Sequence, residues 1–197
     1  MQASWRGRRP RHRPSYVEPY APRRADLGGD LRDPAQNRRR SARQARRAYA
    51  LRLMERQELL SREASSWESL MASVARVPEG RRTEPGVVPG WSVADLVWHC
   101  GYWVDDAARR IELIAAGTSE PDDPESVWQK TNDEIADESK AMSWDEIVSR
   151  SEAARERIRA ALLGLSEIPS DAESEFVDET FDHYDEHAAE IERFAGS

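Results

Sequence analysis

Apolar residues recur at helical spacing along most of the chain, and no stretch alternates apolar and polar positions over a strand length. The first such segment runs from about Tyr49 to Ala75. Leu53, Leu60, Ala64, Trp67, Met71 and Val74 recur in it at steps of three, four or seven, so they share one face. The stretch RVPEGRRTEPGVVPG interrupts the pattern with three prolines and three glycines. A second helix is predicted from Trp91-Ser92 to about Gly117. Ser92 is a good N-cap with Asp95 three residues on, and Leu96, Val97, Cys100, Val104, Ala107, Ile111 and Ile114 follow. A more polar helix is expected over Glu125 to Lys140. Another starts at Ser143, with Glu146 completing a second capping box, and carries Ile147, Ala154, Ile158, Ala161, Leu162 and Leu165. The last helix is predicted as one piece from about Glu175 to Ala195.

Four amphipathic helices joined by short or moderate links imply an all-α four-helix bundle, with the polar third helix an extra element on a crossover. The periodicity carries this expectation, and composition refines it. The net charge of -8 averages two unlike parts. Residues 1–50 hold 14 Arg and no Lys against 4 acids, about +10. The other 147 residues hold the remaining 15 basic and 33 acidic side chains, about -18. The Arg- and Pro-rich segment 1–48 offers little to bury and is expected to be a disordered basic tail, leaving 49–197 as the domain. A solvated extension is the favoured reading of that tail over a nucleic-acid arm. One cysteine excludes a disulfide framework and a Cys-based zinc finger. No run of 18 apolar residues and no secretory leader is visible, so the expected address is a reducing cytoplasm, without a membrane partner.

The candidate chemistry lies in three histidines. His12 falls in the tail, whereas His99 lies on the second helix and His183 and His187 on the last. At about 100° per residue, with His183 at zero, His187 falls near 40°, Ile191 near 80° and Tyr184 near 100°. Every acid of that helix falls between about 180° and 340° and is expected to face water. The two histidines therefore point toward the seam, stacked on successive turns, as bidentate capture of one metal by one helix requires. His99 borders the apolar arc of its own helix and supplies a third nitrogen if the helices pack side by side. A lone buried histidine is more often hydrogen-bonded than metal-bound; three on core-side arcs shift the balance toward a metal.

Asp106 and Tyr184 are candidates for orienting the rings, although Asp106 is better read as an ion pair with Arg110 four residues on. Cys100 is better read as a small buried apolar group than as a ligand, because adjacent helical residues diverge by about 100°. Of the seven Trp, Trp103 is closest to the His99 face; with Tyr184 it is a candidate wall of a substrate pocket, the others being packing groups.

The segments PGVVPGWSVADLVWHCGYWVDDAARRIE, MSWDEIVSRSEAARERIRAALLGL and FVDETFDHYDEHAAEIERF resemble the DinB-like superfamily of metal-binding four-helix bundles. The nearest branch in resemblance is the N-terminal domain of mycothiol-dependent maleylpyruvate isomerase, over about residues 53–195. The resemblance implies a divalent metal held by His99, His183 and His187, with zinc the default and nickel the alternative. It also implies a low-molecular-weight thiol of the mycothiol type and a small electrophilic substrate, hence a thiol-dependent transferase or isomerase. The competing expectations are a thiol-independent binding, self-protection or hydrolase bundle of the same superfamily, and a metal-free interaction protein, with a homodimer left open.

Overall fold

The computed structural model describes residues 34–121 and 124–197, and among them every long element is helical. The elements are α1 (Pro34–Ala75), one turn of 3₁₀ helix (Glu79–Arg81), α2 (Val93–Ala115), α3 (Glu125–Ser139), α4 (Trp144–Gly164), α5 (Ser170–Glu179) and α6 (Phe181–Ala195). The fold is thus the expected all-α bundle with α3 as the additional helix. No described helix is long and apolar enough to cross a membrane. Contacts divide the chain after Glu55, and the bundle is built from Arg56–Ser197.

Two boundaries differ from the sequence pattern. Helix α1 begins at Pro34, so residues 34–48, assigned to the tail, are helical. Proline suits a first helical position, and the Ala-, Arg- and Gln-rich run after it has high helix propensity without an apolar face, which periodicity does not register. The expected tail over 1–33 lies outside the described residues. The predicted last helix is two helices, broken at Thr180 (φ -111°, ψ -100°), whose hydroxyl donates to the Phe176 carbonyl. No proline or glycine marks that break.

Helix α2 is the centre of the bundle. Its start is a complete capping box: the Asp95 amide donates to Ser92 Oγ at 3.2 Å, and the Ser92 amide donates back to Asp95 Oδ2 at 2.7 Å. At α4 only the forward half forms, from the Glu146 amide to Ser143 Oγ. Helix α2 ends in a Schellman motif. The Thr118 amide donates to Leu113 O and the Gly117 amide to Ile114 O, with Gly117 at φ 76°. Fifteen of its 23 residues are buried, so it is covered on nearly every side. It approaches α4 closely at Gly101, where a Cβ would lie 2.4 Å from Ser151 Oγ and 3.0 Å from Ser151 Cα.

The buried stripe of α1 runs Leu59, Glu63, Trp67, Leu70 and Val74. It lies one residue before much of the predicted face: Leu60, Ala64 and Met71 flank it, and Leu53 is exposed. The register moved because Glu63, a position no hydrophobic pattern counts, is fully buried. Arg155 Nε and Arg159 Nη1, both from α4, meet its two oxygens at 2.6 Å each.

A three-histidine candidate metal centre

The loop before α2 and the break before α6 set the position of the histidines. A tight turn closes with the Gly86 and Val87 amides donating to Trp91 O and the Trp91 amide donating to Val88 O, Gly90 taking φ 86° at its corner. The turn aims Trp91 at the His99 ring, 5.1 Å between centroids and nearly perpendicular. The Thr180 break restarts the chain so that His183 falls in the first turn of α6 and His187 one turn later.

The three rings meet. Ring centroids are 4.8 Å apart for His99–His183, 5.2 Å for His99–His187 and 4.8 Å for His183–His187. One nitrogen from each of the three lies within 4.8 Å of the others. His99 and His187 are buried and His183 is nearly so. This is the clustering anticipated from the helical wheel, although the wheel assumed an unbroken last helix.

Two of the three rings are held neutral by their surroundings. Burial lowers the His99 pKa well below its ordinary 6.5, and the neighbouring His183 and His187 lower it further. Burial likewise pushes His187 down to about 4, against the pull of Glu190. Neutral imidazoles are the form that ligates a metal. These residues could hold a divalent cation. Tetrahedral zinc–imidazole geometry sets nitrogens about 3.3 Å apart, so the rings need a rotation that brings them together by up to about 1.5 Å.

The other predicted site residues divide. Trp103 stands edge-on to His99 at 6.4 Å, and its indole donates to Asn132 Oδ1 at 2.9 Å. Trp91, expected to be a packing group, is nearer the ring than Trp103. Tyr184 is fully buried against Trp67 at 5.2 Å, with Glu63 among the charges that act on it. Burial raises its pKa well above the ordinary value. Asp106 orients none of the rings in the hydrogen bonds seen: it takes Arg109 at 2.7 Å and Arg110 at 2.9 Å, the ion-pair reading. Cys100 is wholly buried, and its thiol is pushed up by that burial, with Glu179 and Glu190 adding to the rise; it is a packing group.

Two acids overturn the expectation that all acids of the last helix face water. Glu190 is buried with Oε2 2.7 Å from His187 Nδ1, and Glu179 has Oε2 3.4 Å from His183 Nδ1. On the wheel they occupy the margin of the acidic arc that adjoins His183 at about 320–340°. The spacings Glu-x-x-x-His and His-x-x-Glu were therefore the available signal, lost by treating the arc as uniformly solvent-facing.

No curated protein and no solved structure matches the chain. The family described as the mycothiol maleylpyruvate isomerase N-terminal domain matches residues 63–173. That span includes Glu63, Trp91, His99 and Trp103 but stops before His183 and His187, so ring geometry alone joins the latter two to the first. The match covers more than half of the 197 residues, and the chain belongs to the mycothiol maleylpyruvate isomerase N-terminal domain family.

Proposed function

We propose that the protein is a metal-dependent enzyme of thiol chemistry, a transferase or isomerase that brings a mycothiol-type thiol to a small electrophile. His99, His183 and His187 hold the metal, with zinc favoured over nickel. The observation that carries the reading is the convergence of three imidazoles from α2 and α6, two buried and one nearly so, within 4.8 Å. Family membership supports the thiol.

With three neutral ligands a bound dication keeps its full charge and an open position, where it would stabilise a thiolate or lower the pKa of water toward about 7. The chain's own residues do the rest. His99 and His187 present neutral nitrogens because burial disfavours their protonation. Trp91 and Trp103 stand edge-on to His99 and limit how it can turn. Trp103, held by Asn132, is the pocket wall we favour. Tyr184, fully buried on Trp67, serves the core and not a pocket surface. A cytoplasmic address and a domain spanning 49–197 belong to the same proposal.

The test is metal content by mass spectrometry on protein purified without a polyhistidine tag, for wild type, His99→Ala and His187→Ala. The expected result is about one zinc per wild-type chain, little in either variant, and unchanged helix content by circular dichroism. Equal metal in all three would refute the site. Zinc binding without zinc-dependent consumption of a low-molecular-weight thiol would favour the thiol-independent bundle of the same superfamily.

A further inference from the structure

We infer that Glu190 is a positioning residue for His187: its carboxylate accepts a hydrogen bond from the Nδ1–H of that ring, so that Nε2 is the nitrogen offered to the metal. The inference rests on the metal reading above and deepens it, because it names what orients one of the three rings.

The Glu190–His187 contact is 2.7 Å, between residues three apart on one helix, so the α6 backbone itself fixes the approach. Both groups are sheltered, with side-chain exposures of 11% and 0%. An ionised carboxylate only accepts, so Nδ1 must donate. A neutral imidazole protonated at Nδ1 carries its lone pair on Nε2. Glu190 thereby selects one tautomer and one ring plane, and its charge strengthens the ligand nitrogen. Glu179 stands 3.4 Å from His183 Nδ1 across the Thr180 break, but that nitrogen has no hydrogen-bond partner among the described residues. Glu179 therefore supplies negative charge near its ring without fixing the ring plane, and its removal should cost less. Glu186, one residue before His187 and exposed, has the same charge without the contact and serves as the control.

Two readouts on the full chain test this. In metal-free protein at neutral pH, long-range ¹H–¹⁵N spectra of the histidine side chains should show His187 protonated on Nδ1. Glu190→Leu should mix the tautomers, and Glu190→Gln, whose amide oxygen still accepts, should largely preserve Nδ1–H. In chelator competition with zinc, Glu190→Leu should weaken binding about 10–100-fold, as loss of an outer carboxylate does. Glu190→Gln and Glu179→Gln should weaken it less, and Glu186→Gln should leave it unchanged. A wild-type His187 protonated on Nε2, or a folded Glu190→Leu that binds zinc as tightly as wild type, would overturn the inference. A wild type that binds no zinc sinks the metal reading alone; the tautomer measurement then still decides whether Glu190 orients His187.

Discussion

Two polar clusters lie inside this bundle, and they differ in how charge is balanced. On the α1–α4 side, buried Glu63 takes Arg155 and Arg159 at 2.6 Å each, while Trp67 Nε1 donates to Glu152 at 2.7 Å and the Arg155 guanidinium lies over the Trp67 ring. Opposite charges meet there and satisfy one another. On the α2–α6 side, three groups of the same kind meet, and the neighbouring rings disfavour protonation of His99 and of His187. Packing alone does not favour gathering three weak bases. A self-neutralising cluster joins helices; a cluster of like ligand atoms with carboxylates behind it is arranged for something from outside.

The largest effect should come from unbalancing the first cluster. Glu63→Ala leaves two arginine side chains, one of them largely buried, facing an empty partner site, and should destabilise the domain by about 3–5 kcal/mol. Urea unfolding would measure this, with helix content before the transition reporting whether the fold survives. A loss below about 1 kcal/mol would place this cluster in the same class as surface ion pairs.

Acid should separate the clusters next. His187 titrates near 4 in the folded protein against an ordinary 6.5. The unfolded chain therefore binds its proton first as pH falls. The metal-free protein should hold its full stability above about pH 6.5 and lose it progressively toward pH 4, on the order of 3 kcal/mol from this residue. His187→Gln should flatten that slope. A stability profile that rises over the same window would contradict the neutral cluster.

Two smaller effects sharpen the contrast. Gly101→Ala forces a methyl against Ser151 in the α2–α4 contact and should cost about 1–3 kcal/mol. Ser151→Ala should recover only part of this, because the Ser151 backbone Cα also stands at 3.0 Å from the new methyl. Trp103→Phe removes the donor to buried Asn132 and should cost about 1 kcal/mol in thermal or urea unfolding. Zinc affinity in that variant should stay near wild type, since a phenyl ring still stands against His99.

Most of the bundle was legible because apolar periodicity and capping signals report helices directly. Ser92 with Asp95 and the stop at Gly117 were each readable from residue type. The extension of α1 to Pro34 was not, since a helix without an apolar face leaves no periodic trace. The Thr180 break was not either, because no local breaker residue announces it. The inward placement of His99, His183 and His187 could be read from the wheel, since burial direction follows from spacing. The sheltered acids were harder to read: Glu63 left no signal in the apolar pattern, and Glu179 and Glu190 were marked only by their spacing to His183 and His187, since each is inside because a partner faces its carboxylate. Hydrophobicity scores a side chain alone and is blind to its partner.

The most direct measurement is X-ray absorption at the zinc edge on the zinc-loaded full chain, repeated on His99→Ala. The account predicts three imidazole nitrogens at about 2.0–2.1 Å in the wild type, and the loss of one of them, or of the metal altogether, in the variant. A zinc shell dominated by oxygen, or one that the variant leaves unchanged, would contradict it.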